Sequence, residues 1–142
     1  MKISNIAFEK LKEFEGLRLE AYCDAGGTLT IGYGHTGKDI RPGDRISRYW
    51  AEEMLRADVE RVERQVEALG VARTQGQLDA LVSFAFNLGV GNLKRSTLLK
   101  SIRRRCNRNV IRREFKRWVH VRGKRLPGLE SRREWESNRF FE

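Results

Sequence analysis

The sequence predicts an α+β fold, mostly helical, in which a small antiparallel β-hairpin lobe and a helical lobe are joined by a long helix. Three observations predict it. Apolar residues recur at helical spacing through Ile6, Ala7, Leu11 and Phe14, and after Gly16 the period changes to strict alternation as far as Gly34. A turn signal, Ala25-Gly26-Gly27, cuts that alternation into two strands. From Ser47 onward the apolar spacing is again helical, first over one long segment and then over several shorter ones.

Each element has its own local signals. Ser4 is a candidate N-cap, so the first helix is expected over residues 4–14, ended near Gly16, with Glu15 at its C-terminus beside Phe14. In the first strand Leu19, Ala21 and Cys23 alternate with Glu20, Tyr22 and Asp24; in the second, Leu29, Ile31 and Tyr33 alternate with Thr28, Thr30, Gly32 and Gly34. Asp24 then lies at the base of the hairpin, and Thr30 returns on the partner strand. Gly32 and Gly34 bare the same face, leaving room for a ligand to approach the backbone. Ser47 caps a helix whose apolar face reads Trp50, Met54, Leu55, Val59, Val62, Val66 and Leu69, running to near Gly70. Thr74-Gln75-Gly76-Gln77 is a capping box, followed by Leu78, Leu81, Val82, Ala85 and Phe86, apolar almost all round as in a helix central to a core; Gly89 and Gly91 end it. Further helices are expected at 94–105, 108–119 and 128–140. The chain reads as one domain over 1–142, divided into 1–46, 47–70 and 71–142.

Composition narrows the classes. A chain of 142 residues suits one domain that buries about two-thirds of its unfolded surface. It contains no apolar run of about 18 residues, so no membrane span is expected. Met1-Lys2-Ile3-Ser4-Asn5-Ile6 lacks a hydrophobic signal region, so neither a secretory signal nor an N-terminal anchor is expected. Cys23 and Cys106 make no disulfide framework and have no metal-ligand spacing with His35 and His120; they read as reduced, small hydrophobic residues of a cytoplasmic protein. No metal is expected.

Charge is uneven. Residues 94–142 hold 17 Lys+Arg and 5 Asp+Glu, a net of +12, against 12 and 14, a net of −2, in residues 1–93. Much of the excess lies in Lys100, Arg103, Arg104, Arg105, Arg108, Arg112, Arg113, Lys116 and Arg117. Such a run is usually a solvated helical face, and it also attracts anionic polymers. With Phe115 and Trp118 between the charges it can lie at a membrane surface. No zinc finger, RNP signature or basic zipper accompanies it, so nucleic acid is not the expected partner.

The stretch from Glu15 to His35 carries the chemistry. Glu15 stands nine residues before Asp24, and Asp24 six before Thr30. Two carboxyls and a hydroxyl around one gap are what cleavage of a sugar–sugar bond needs: one carboxyl to protonate the leaving oxygen, one to activate water. In a chain with nineteen acidic residues such a pair alone is ordinary, but its surroundings are not. The negative end of the first helix and the neighbouring Phe14 both disfavour a charged carboxylate at Glu15, as a general acid requires.

This segment resembles the phage-type lysozymes of glycoside hydrolase family 24. Glu15, Asp24 and the run Thr30-Ile31-Gly32-Tyr33-Gly34-His35 match that pattern, and Thr36-Gly37-Lys38-Asp39 extends it. Phe84-Ala85-Phe86-Asn87-Leu88-Gly89 and Leu126-Pro127-Gly128-Leu129, followed by Arg132-Arg133-Glu134, are similar to two further family segments. The resemblance implies a phage-lysozyme-like fold and an endolysin that hydrolyses, with inversion and without a cofactor, the β-1,4 bond between N-acetylmuramic acid and N-acetylglucosamine. It implies Glu15 as acid, Asp24 and Thr30 as the holders of water, and His35 as a structural residue near the cleft. Phe86, Asn87, Ser96, Thr97 and Thr36 are then substrate-binding candidates, with Arg132 or Arg133 closing the cleft. Peptidoglycan is the implied partner, with anionic envelope lipids on the basic half. A monomer is expected, held in the host cytoplasm until a holin opens the membrane and then acting on the cell wall. The alternatives are a lytic transglycosylase on the same bond and a non-catalytic cationic envelope-binding protein.

Overall fold

The computed structural model describes residues 1–121 and 123–142, the side chain of Val121 excepted. The elements run α1 (Asn5–Glu15), β1 (Arg18–Cys23), β2 (Leu29–Gly32), β3 (His35–Thr36), α2 (Arg48–Glu67), α3 (Gln75–Leu88), α4 (Val90–Arg95), α5 (Thr97–Arg103), α6 (Arg108–Lys116), β4 (His120–Val121), β5 (Lys124–Arg125) and α7 (Pro127–Phe140). They fall into two compact units, Phe8–Arg61 and a second one made of Met1–Ala7 with Val62–Glu142. The divisions lie inside α1 and α2, so neither coincides with a helix end.

Helix α1 is set at both ends by the signals the sequence displays. Ser4 Oγ accepts from the Ala7 amide at 3.1 Å, and Gly16 leaves the helix with its amide on the Lys12 carbonyl. Its buried stripe is Ala7, Phe8 and Leu11; Ile6, assigned to that stripe from spacing, is 62% exposed. The sheet has three strands in the order β1-β2-β3, not the two expected. The alternation runs on past Gly32, but Gly32 and Gly34 both take positive φ and the chain turns there, returning as β3. Pairing of β1 with β2 sets Tyr22 opposite Thr30 and Cys23 opposite Leu29, with an irregularity between Arg18 and Tyr22. The other edge of β1 pairs with the chain near Arg45, through Ala21 to Asp44 and Ile46 to Leu19. The alternate residues of β1 gain little burial: Leu19 and Cys23 are exposed, so Cys23 is no core residue. Ser47 caps α2 through the Trp50 amide at 3.2 Å, while Trp50 itself is 59% exposed and Ala51 takes the buried position.

The second unit is helical, with a two-stranded β4–β5 hairpin in the stretch left unassigned between the helices expected at 108–119 and 128–140. Thr74 Oγ1 caps α3 at the Gln77 amide, and the Gln77 side chain answers at the Arg73 amide, one residue before the usual partner of a capping box. The helix packs on α7 at its first turn: a Cβ on Gly76 would stand 2.3 Å from the Arg139 carbonyl oxygen. Phe84 meets Phe115 and Trp118 edge to face at 5.9 and 5.6 Å, and Phe115 meets Phe140 at 5.7 Å. Only Gly89 ends α3. Gly91 sits inside the short α4, and the helix expected over 94–105 is split at Ser96, whose extended backbone caps α5. Asp79, buried in α3, accepts from Ser4, Gln75 and Arg139, so the N-terminal residues are fastened by charge-assisted bonds.

Candidate active site

Glu15, Asp24 and Thr30 all lie in the first unit, each fixed by a different device. Glu15 is the last residue of α1 and half-buried. Its carboxyl lies against the β2–β3 turn: a Cβ on Gly34 would stand 2.8 Å from Glu15 Oε1. Gly34 is therefore required twice, for its φ of +76° and for the space the carboxyl fills. The gap left by Gly34 is occupied by the acid. That at Gly32 is closed by Ile46 and Ala51, so neither glycine opens the room for a ligand expected from sequence.

Asp24 follows β1 and closes the Ala25-Gly26-Gly27 turn. Its Oδ1 accepts from the Gly26 amide at 2.8 Å and the Thr28 amide at 2.9 Å, and its carbonyl accepts from Gly27. Among the described residues both of these side-chain bonds go to Oδ1, which anchors the carboxylate to the turn. The residue is exposed. Thr30, by contrast, is 4% exposed, and its hydroxyl donates to the Thr28 carbonyl at 3.0 Å. With its proton committed, Thr30 can meet a water only as an acceptor.

His35 opens β3 and is held from two directions in the same unit. Nδ1 lies 2.8 Å from Asp58 Oδ2, and Nε2 lies 3.4 Å from both Asp39 oxygens. Arg61 holds the other Asp58 oxygen at 2.5 Å. This ties the start of β3 to α2, with Asp58 the partner that sequence did not identify.

The substrate-binding candidates divide. Thr36 is exposed on β3 in the first unit; Phe86 is half-buried and Asn87 exposed at the end of α3 in the second. Ser96 is buried and committed, donating to the Leu93 carbonyl and accepting from the Leu99 amide, so it is a cap and not a ligand group. Thr97 Oγ1 donates to Glu114 at 2.8 Å. Burial alone would raise the Glu114 carboxyl, but the bonds from Thr97 and Arg117 outweigh it and hold the group below its ordinary value. Arg132 and Arg133 are 4% and 0% exposed. Both donate within the helical unit, to Ser83, Asn87 and Glu136 among their partners, so neither is an exposed surface cation. What Arg133 does is donate to Asn87 Oδ1 at 2.8 Å, orienting an exposed polar side chain from the core. Among the described residues, no cluster of three His, Cys, Asp or Glu side chains could hold a metal ion, and no helix is long and apolar enough to cross a membrane.

The fold agrees with comparison to known proteins. Residues 12–136 match the phage lysozyme family, and the chain belongs to that family. It is 44% identical to an endolysin of Bacillus phage B103 over 99% of this chain and 54% of that protein. The chain thus spans about half the length of that relative. Among solved structures it is similar to an endolysin from the Escherichia coli O157:H7 phage FAHEc1, with a TM-score of 0.88, 35% identity and coverage of 100% of this chain and 94% of that one. It is also similar to the muramidase domain of SpmX from Asticaccaulis excentricus, with a TM-score of 0.89, 34% identity and coverage of 99% and 98%.

Proposed function

We propose that this chain is the catalytic part of an endolysin, a muramidase that hydrolyses the β-1,4 bond between N-acetylmuramic acid and N-acetylglucosamine of bacterial peptidoglycan. The observation that carries the reading is the Glu15 carboxyl set against Gly34, in the same compact unit as Asp24 and Thr30. Glu15 protonates the leaving oxygen. Asp24, anchored to its turn through Oδ1, takes the proton of a water through Oδ2 on the opposite face of the sugar, and Thr30 accepts a hydrogen bond from that water. Water attack without a covalent intermediate inverts the anomeric centre, which requires the carboxyls to stand roughly 6.5–9.5 Å apart around the bound sugar. Mass spectrometry of the released muropeptides is the test. Reducing ends are expected; 1,6-anhydro ends would make the chain a lytic transglycosylase, which needs Glu15 but no Asp-held water. A folded chain that binds envelopes and releases neither product would be a cationic binding protein.

Asp24→Ala is expected to reduce turnover more than Thr30→Ala, by about 10²-fold against about tenfold, because a base is lost in one case and a water's acceptor in the other. Asp24→Asn separates the base from the turn. The amide oxygen still accepts from Gly26 and Thr28, so near-normal activity in Asp24→Asn would reduce Asp24 to a turn residue.

The partners follow from this reading: peptidoglycan as substrate, a holin to admit the enzyme to the wall, and no second protomer. The basic half engages anionic envelopes through exposed charge. Arg104, Arg108 and Arg113 are exposed, whereas Arg112 is half-buried, bonded to Asn138 and lying over the Phe141 ring. Salt screens exposed charges over about 10 Å at 0.1 M. Raising it is expected to weaken pull-down on whole envelopes more than turnover of a short neutral oligosaccharide, and Arg104→Gln/Arg108→Gln/Arg113→Gln is expected to mimic the salt effect. Equal binding by this variant at low salt would leave the run as a solvated face.

A further inference from the structure

The helical unit contains a cavity of about 490 Å³ that the hydrolytic reading does not use. Its floor is apolar, with Val71, Ile111 and Phe140 buried and Ile102 and Phe141 half-buried. Its rim is cationic: Arg73, Arg103 and Arg105 line it and are exposed. Two more guanidiniums, those of Arg108 and Arg112, lie 4.8 and 5.3 Å from the centre of the Phe141 ring. No Asp or Glu is among the lining residues. Among the described residues Arg103 donates to the Leu69 carbonyl, at 3.5 Å.

Arg105 supplies a second, independent observation. Its φ is +55°, the one positive value at a non-glycine position among the described residues. It follows α5 in a turn closed by the Arg105 amide on Ile102 and the Cys106 amide on Ser101. Glycine is the ordinary residue of such a helix end, because a side chain in the left-handed region is strained. An arginine held there against its backbone preference, on the rim of an apolar cavity, points to a use for its charge.

We infer that this cavity binds an anionic lipid, with one acyl chain on the apolar floor and the phosphate among Arg73, Arg103 and Arg105. The volume is that of an ordinary small-ligand site. A free phosphate would leave the floor unused, and a neutral glycan would leave three guanidiniums without a counter-charge. The guanidinium fork suits phosphate oxygens. Every residue of the cavity lies in the helical unit, while Glu15, Asp24 and Thr30 lie in the other, so this site and the muramidase reading stand or fall separately.

The test is calorimetric titration of the whole chain with lysophosphatidylglycerol below its micelle-forming concentration, beside inorganic phosphate and lysophosphatidylcholine. Binding of lysophosphatidylglycerol at a single site is expected, with the other two at least about tenfold weaker. Arg105→Gly should weaken it by about tenfold while the thermal midpoint stays level or rises, because the strain at this position is relieved. Arg41→Gln removes the same charge from an exposed position outside the cavity and should change binding by no more than roughly twofold. Equal losses in the two variants would mean diffuse charge and overturn the site. Phosphate binding as tightly as the lysolipid would overturn the lipid assignment, and no saturable binding would overturn both.

Discussion

Glu15→Gln is expected to abolish clearing of peptidoglycan suspensions while leaving the fold intact. The amide has the shape of the carboxyl but cannot donate the proton that a departing sugar oxygen needs, and general acid catalysis contributes about 10²–10⁴-fold. The variant should match the wild type in circular dichroism and in urea midpoint, so that the loss belongs to the chemical step. Wild-type turnover by folded Glu15→Gln would remove Glu15 from that role. Gly34→Ala reaches the same carboxyl from behind. The added methyl would stand 2.8 Å from Oε1, and the φ of +76° disfavours any side chain, so the acid must shift. A displacement of about 1 Å can cost about 10²-fold in rate. A kcat loss of that order in Gly34→Ala, with Glu15 still present, would tie the rate to the carboxyl's position as well as to its identity.

What the sequence made legible is what short-range signals encode. Ser4 and Gly16 bracket α1, the Ala25-Gly26-Gly27 turn follows Asp24, and Ser47 and Thr74 start α2 and α3 as expected. Periodicity failed where it had no means of seeing the backbone. Alternation continues through Tyr33, but the positive φ at Gly32 and Gly34 turns the chain into a third strand. Helical spacing continues across residues 94–105, but the extended backbone of Ser96 divides it. Spacing also locates an apolar stripe without fixing its edges, so Ile6 and Trp50 fall outside the buried surface. The family pattern led to Glu15, Asp24 and Thr30 but not to what holds them. Asp58, the partner of His35, is 23 residues away along the chain, and no local signal marks it. Arg132 or Arg133 was expected to close the cleft from the family resemblance alone, and both are buried, as arginine seldom is without a partner. That partner, Glu136, was visible four and three residues on, at helical spacing, and is the signal that would have placed them inside.

Glu136 is also where the largest loss of stability is expected. It is fully buried in α7, and two arginines and a serine converge on it. Ser83 donates to its Oε2 at 2.5 Å, Arg133 Nη2 lies 3.2 Å from the same oxygen, and Arg132 Nε lies 3.5 Å away. Arg133 Nε stands 2.8 Å from Oε1, an ion pair by distance, yet too far out of line to be a hydrogen bond, and both atoms are without any other. Burial pushes the Glu136 carboxyl upward against the pull of the two guanidiniums, and it pushes the Arg133 guanidinium down. A pair so placed is held at a cost, but breaking it costs more: Glu136→Ala takes from the buried Arg133 guanidinium the carboxylate beside it, and a loss of about 3–5 kcal/mol is expected. Glu136→Gln, which keeps the shape and an acceptor for Ser83, should lose less. Arg133→Met combined with Glu136→Leu should recover part of the deficit of Glu136→Ala, since the stranded Arg133 charge goes with its partner. Urea unfolding measures all three, provided the slope is unchanged. A Glu136→Ala midpoint close to that of the wild type would mean that the two arginines reach water without it. If the loss does appear, the double variant should in addition lower activity at low substrate more than its stability predicts, because Arg133 also orients Asn87 through the 2.8 Å bond to its Oδ1.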